Sequence, residues 1–164
     1  MSRALVCAVL AAGCFAAPAA ATLPHTGTLV PGRSLGGVHL DESAAGVRSE
    51  LGHGYGVCQG CARTTWYFTY RPFDQHGLAV ELASGRVSAV YTLWQPDGWH
   101  AGRGLRLGAV QAQVTKLVGA TIPVTCIGYD ALVSDRGSTR TAYYIVDGKL
   151  WGFGLLHAHA SPCR

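Results

Sequence analysis

The chain has 164 residues and a formal net charge of +4 at pH 7. Charged residues make up only 13% of it and the basic ones stand singly, which argues against the clustered basic face of a nucleic-acid binder and the polybasic run of a membrane-surface protein. The length suits one ordinary domain or two very small ones.

In chain order, the first segment reads as a secretory signal peptide. Arg3 precedes an apolar run over residues 4–17, and small residues at 19–21 form an A-x-A cleavage pattern. The run is shorter than the roughly 20 residues a spanning helix needs, so no membrane span is expected. "LAAGC" at 10–14 weakly resembles a bacterial lipobox, so an acyl anchor at Cys14 is an alternative processing. Removing residues 1–21 leaves 164 − 21 = 143 residues, and losing Arg3 leaves 12 Lys and Arg against 9 Asp and Glu, or +3.

Residues 22–36 are Gly-, Pro- and Thr-rich and aperiodic, and read as a flexible leader. After them "GVHLDESAAGVRSELG" (37–52) lies without a gap over "GLRLGAVQAQVTKLVG" (104–119), and "AVELASGRVSAVYTL" (79–93) over "AYYIVDGKLWGFGLL" (142–156). This reads as a duplication, with unit one over 37–99 and unit two over 100–164. Each unit is expected to open a short helix at Asp41 or Gly108. Apolar residues follow at helical spacing, Ala44, Val47 and Leu51 or Val110, Val114 and Leu117. Gly52 or Gly119 then ends the helix. Strands follow at 65–70, 80–82 and 87–91, and at 124–133, 143–145 and 150–153. Ser84-Gly85 and Asp147-Gly148 are two-residue hairpin signals. The expected fold is α+β: two tandem repeats, each a short helix over a small antiparallel sheet.

The residues carrying this pattern are Gly37, Leu40, Val47, Leu51, Gly52 and Gly85-Arg86-Val87, with Gly104, Leu107, Val114, Val118, Gly119 and Gly148-Lys149-Leu150 in the second unit. The pattern resembles the small helix-plus-sheet domains of the BamE (SmpA/OmlA) type. In tandem it looks like the secreted beta-lactamase inhibitor protein (BLIP) family. The resemblance implies a non-enzymatic protein-binding module that uses its sheet surface and loops. No residue-level match to inhibitory contacts is present, so inhibition of a beta-lactamase does not carry over.

Catalytic signatures are sparse. There is no G-x-S-x-G elbow, and Gly102-Arg103-Gly104 lacks the strand and long helix of a phosphate loop. The histidines are dispersed; His157 and His159 read as a solvated tail rather than a metal clip. Asp74, Asp97, Asp130 and Asp135 sit in turn-like contexts. No catalytic residue, metal site or cofactor is assigned. After signal removal four cysteines remain, Cys58, Cys61, Cys126 and Cys163, and an even count in an exported chain favours disulfides. Four cysteines allow three connectivities; Cys58–Cys61 with Cys126–Cys163 is favoured. The alternatives for Cys58-Gln59-Gly60-Cys61 are a thiol-disulfide oxidoreductase site, against which no long helix begins at the pair, and half of a zinc site.

Strand parity gives the candidate contact surface. Tyr143, Ile145, Leu150, Gly152 and Gly154 share one face, assigned to the core together with Val80, Leu82, Val87, Ala89 and Tyr91. Tyr144, Trp151 and Phe153 share the other face, which is unusually aromatic for a surface. Either it binds another protein, with Trp94 and Trp99 nearby, or the units pack there, or a bulge flips the register. The functional expectation is a secreted, non-enzymatic protein-binding module, inhibitory in one version, whose partner is unknown. The alternatives are the thiol-disulfide enzyme and an envelope-anchored lipoprotein of structural role.

Overall fold

Turn chemistry places the elements along the chain. The computed structural model describes residues 23–164. The first three strands are β1 (Thr28–Val30), β2 (Ser34–Leu35) and β3 (Val38–His39), followed by helix α1 (Ala44–Leu51). Next come β4 (Gly56–Val57), β5 (Thr64–Thr69), β6 (Gly77–Ala83) and β7 (Arg86–Leu93). A connection holds β8 (His100–Ala101), a 3-10 turn (Gly102–Gly104) and β9 (Leu105–Arg106), then helix α2 (Gln111–Val118). The chain closes with β10 (Ile122–Cys126), β11 (Tyr129–Arg136), β12 (Thr139–Val146) and β13 (Lys149–His157). The signal segment 1–21 and the candidate lipid site Cys14 lie outside the described residues.

Each helix has 8 residues, too few to hold in water without tertiary support. The support comes from buried Val47 and Leu51 in α1 and Val114 in α2, and from bonds to hairpin tips. Ala44 N donates to Gly85 O at 3.1 Å and Gln111 N to Gly148 O at 2.9 Å. Gly52 and Gly119 end the helices at φ 86° and 89°. The expected starts shift: Ser43 caps α1, accepting from Gly46 N, and Val110 precedes α2 with no side-chain cap. Asp41 and Gly108 instead make left-handed turns just upstream, at φ 62° and 86°.

Ser84-Gly85 and Asp147-Gly148 both form turns with two positive φ values, 50° and 76° in the first and 48° and 70° in the second, the twist that two-residue hairpins require. The stretch 124–133, expected as one strand, is two. Cys126 pairs with Tyr129 across Ile127-Gly128, with Gly128 at φ 82°. An isoleucine in the turn, 99% exposed, disguised it as strand.

The expectation of two helix-plus-sheet repeats is corrected by the topology. Strands β4 to β7 and β10 to β13 form one eight-stranded sheet in the order β10-β11-β12-β13-β7-β6-β5-β4. The halves join where Gly154, Leu155 and Leu156 pair with Tyr91, Val90 and Ala89. A second, five-stranded sheet, β3-β2-β1-β8-β9, is built from the leader and the connection, with β1 and β8 parallel. The described residues are thus mostly β, and one core runs between the sheets and under both helices. It takes Val47, Phe68 and Leu78 from one half, Val114, Tyr143 and Phe153 from the other, and Leu29, Leu35 and Leu105 from the small sheet. The physical reason is edge satisfaction. Two separate four-stranded sheets would leave β7 and β13 as long unpaired edges.

Two bulges decide which side chains reach that core. Leu82 pairs with Val87 but Glu81 with Ala89, leaving Ser88 as an extra residue. Ile145 pairs with Leu150 but Tyr144 with Gly152, leaving Trp151 extra. Each extra residue flips the parity beyond it. Phe153, expected outside, is therefore fully buried in the main core beside Leu155, whereas Ala89, expected in that core, belongs to a second cluster on the opposite face with Ala142, Tyr144 and Leu156. Phe153→Ala should consequently cost about 3–5 kcal/mol of stability, measured by urea unfolding; a loss below about 1 kcal/mol would contradict the inward placement.

Candidate functional site

The outer face of the large sheet carries a cleft of about 500 Å³. Tyr67 from β5, Tyr91 from β7, Tyr129 from β11, Tyr144 from β12 and Trp151 from β13 line it, with Trp94 just past the end of β7 and Arg164 at one wall. The β7–β13 seam brings them together, because it lays Tyr91 opposite Gly154. Glycines at 152 and 154 make the room. A side-chain carbon at Gly152 would stand 3.3 Å from Cδ2 of Tyr144, and one at Gly154 3.2 Å from its Cε2. Tyr144 therefore lies flat across its neighbouring strand instead of standing off the sheet.

Trp94 and Trp151 stand side by side, ring centroids 5.7 Å apart and planes tilted by 59°. Trp151 projects because it is the extra residue of its bulge, and it is half-buried. Trp94 is 50% exposed and sits at φ 52°, a left-handed conformation unfavourable for a bulky side chain. Tyr129 and Tyr144 form a second pair, edge to face at 5.6 Å.

The last residues fold over the same face. Arg140 binds Asp135 through two bonds of 2.8 Å and donates a third, 2.8 Å, to the carbonyl of Ala160. A disulfide joins Cys163 to Cys126, with Cα atoms 5.4 Å apart, within the span a disulfide bridges. Tyr129 then donates to the carbonyl of Arg164 at 3.0 Å. The Arg164 guanidinium lies 3.3 Å from Glu81 and 5.7 Å over the ring of Tyr91. Glu81, buried at the foot of this wall, also meets Arg63 at 3.4 Å.

Burial dominates the electrostatics. It pushes the Tyr91 phenol well above the ordinary range, and nearby Glu81 adds to the effect. Burial alone does most of the same to Tyr144. On the core side it pushes Tyr143 up to about 12. The guanidinium of Arg140 holds Asp135 below the usual carboxylate range. Among the described residues, the Tyr144 hydroxyl is the buried side-chain polar atom with no hydrogen-bond partner.

Of the five expected contact residues, the structure brings Trp94, Tyr144 and Trp151 to the cleft. Phe153 is displaced into the core by its bulge, and Trp99 is 1% exposed on the other side of the sheet. The Trp99 indole donates to Tyr70 at 2.7 Å, and its ring packs where side chains at Gly27 and Gly36 would clash. Sequence reasoning missed Tyr67, Tyr91, Tyr129 and Arg164. Tyr67 was findable, since Trp66 and Phe68 on either side of it are both core and a strand alternates.

The favoured cysteine pairing is the one present: Cys58 with Cys61 and Cys126 with Cys163. The first pinches the exposed connection between β4 and β5, and no helix begins there to lower a thiol pKa. No group of three or more His, Cys, Asp or Glu arranged to hold a metal occurs among the described residues.

No protein-family model matches the chain, and no curated protein matches it. Two solved structures share its fold. One is an extracellular protein containing an SCP domain from Bacillus anthracis str. Ames, with TM-score 0.53 and 9% identity over 73% of this chain and 44% of that one. The other is a cysteine-rich secretory protein from Staphylococcus aureus subsp. aureus Mu50, with TM-score 0.53 and 13% identity over 84% of this chain and 49% of that one. The chain thus spans about half the length of each or less. These findings correct the resemblance to BamE-type and BLIP-type tandem domains: the structural likeness is to proteins of the SCP (cysteine-rich secretory) group.

Two measurements check the geometry. Removing the Cys126–Cys163 bridge, 37 residues apart, should cost about 3–4 kcal/mol through loop-closure entropy, against about 1–2 kcal/mol for Cys58–Cys61, read from urea unfolding of Cys-to-Ala pairs. Tyr144→Phe should stabilise the fold by about 1–2 kcal/mol at neutral pH, because it removes an unsatisfied buried hydroxyl. The gain should grow above about pH 10, where an unfolded phenol ionises but the folded one, its pKa raised, does not. The wild type loses stability as pH rises through that window and the variant is spared that share.

Proposed function

We propose that this chain is a secreted, non-enzymatic module that binds another protein through the aromatic cleft on the outer face of its large sheet. One observation carries the reading: an adjacent tryptophan pair, one 50% exposed, stands over a floor of tyrosines on a sheet face away from the main core. Leaving such rings in water is unfavourable, and aromatic side chains bury large areas with few rotors to freeze, so they serve as contact anchors. No histidine, cysteine, aspartate or glutamate side chain lines the cleft.

Export is supported from three sides. The N-terminal segment has the charge, apolar run and small residues of a signal peptide. Four cysteines are oxidised into two bridges, as suits an oxidising compartment. The two proteins of similar fold are described as extracellular and as secretory. Among the described residues no helix is long and apolar enough to cross a membrane.

The experiment is capture from the secreted fraction of the producing organism, followed by affinity measurement on the captured protein. Trp94→Ala and Trp151→Ala should each weaken that complex by about 2 kcal/mol or more, with thermal unfolding little changed. Unaltered affinity in both variants would move the contact surface elsewhere; a collapse of the melting temperature would make the pair structural.

A further inference from the structure

Another cavity, of about 230 Å³, lies on the core side of the large sheet, away from the aromatic cleft. It forms where four parts of the chain meet: the β1–β2 turn at Pro31, the connection at Arg103 and Leu105, the end of α2, and the inward face of β11 and β12. Two guanidiniums line it, Arg103 and Arg136, together with the hydroxyl-bearing Ser134 and Tyr143. No aspartate, glutamate or histidine side chain lines it. Asp135, next to Arg136 in β11, points to the other face and is held there by Arg140 at 2.8 Å.

Backbone positions both cations. The stem of Arg136 crosses the β1–β2 turn so closely that a side-chain carbon at Gly32 would stand 3.3 Å from its Cδ. Gly32 N donates to Thr141 Oγ at 2.9 Å, which fastens that turn to β12. Arg103 is left-handed, at φ 62°, and donates to the Leu117 carbonyl at 3.0 Å. That bond offsets a carbonyl at the end of α2 and leaves the rest of the guanidinium fork to the cavity. Neither arginine enters an ion pair among the described residues. Tyr143 reaches the cavity from the core and is 1% exposed. Its hydroxyl is not sealed off as that of Tyr144 is. Burial pushes its pKa up to about 12, with the Arg136 charge acting against it and no hydrogen bond contributing. The hydroxyls of Tyr143 and Ser134 can donate or accept, but guanidiniums only donate, so the two arginines decide the sign of the ligand.

We propose that this cavity binds a small organic carboxylate, its carboxyl group held by Arg103 and Arg136 and a short aliphatic part lying against Leu105, Leu117 and Val118. The site is separate from the aromatic cleft and does not depend on the protein-binding reading. Two cations lining one cavity repel, and an anion between them removes the repulsion. The planar fork of arginine matches the two oxygens of a carboxylate. Size limits the rest of the ligand: roughly 150 Å³ admits a benzene ring, so this cavity suits a branched acid of a few carbons and is too small for a folded partner. Inorganic phosphate would give up hydration without contacting the apolar wall.

The test follows the backbone amide and indole N–H resonances of the intact, isotope-labelled protein by NMR. Isocaproate, isocaproamide and inorganic phosphate are titrated separately. Millimolar isocaproate should shift Gly102, Val118 and Arg136 and leave the indoles of Trp94 and Trp151 in place; the neutral amide should shift none of them. Arg136→Gln should weaken isocaproate binding about tenfold or more, for loss of a charge-assisted fork. Arg136→Lys, which keeps the charge, should lose less. Tyr143→Phe should weaken it about threefold for loss of one donor. No response to isocaproate, an equal response to the amide, tighter binding of phosphate, or shifts confined to Trp94 and Trp151 would each overturn the proposal. So would unchanged affinity in Arg136→Gln.

Discussion

Three residue pairs between β7 and β13 hold the architecture together. They run from Gly154 with Tyr91 to Leu156 with Ala89, and they turn two sets of four strands into one sheet with a common core. The seam also removes what would be two long exposed edges, leaving outer edges that are harder to extend. At one outer edge β4 is only Gly56–Val57; at the other β10 carries Pro123, which offers no N–H. With the seam in place, the short helices and the leader strands have a surface to pack on, and Leu29, Leu35, Val47 and Val114 are all fully buried there.

The seam accounts for the outer face as well. Glycines at 152 and 154 both lie under the ring of Tyr144, so that ring can lie over backbone in place of side chains. The bulge at Trp151 then raises an indole beside it. Small residues and an irregularity, each locally unfavourable to a strand, together make a concave aromatic surface. A regular sheet counted from the two hairpin turns would have put Phe153 on this face and Tyr91 in the core.

Covalent and ionic restraints shape one wall of this surface. The Cys126–Cys163 bridge fixes the end of the chain to the β10–β11 hairpin, and Arg140 ties it again at Ala160. Only then is Arg164 within reach of Glu81, a carboxylate buried on the outer face that would be costly to leave unpaired. The pair is thus a consequence of tethering: without the bridge, nothing in the chain order brings residues 81 and 164 together.

Much was legible in the sequence because it depends on neighbours in the chain. Helix endings at Gly52 and Gly119 and the hairpins at Ser84-Gly85 and Asp147-Gly148 are set by local backbone sterics, and so could be read from residue type. Disulfides as such were legible from an even cysteine count in an exported chain, and the pairing was favoured as one bridge per unit. What needed the tertiary structure was long-range. Whether β7 pairs with β13, whether the leader joins a second sheet, and which fold the assembly shares are settled by burial and edge pairing across the whole chain. The bulges at Ser88 and Trp151 belong to this class too, since neither residue type announces an extra residue and only the partner strand defines one. They moved Phe153 from the expected surface to the core and Tyr91 from the expected core to the cleft. Residue type determined which side chains were aromatic; the register between strands decided which of them meet water.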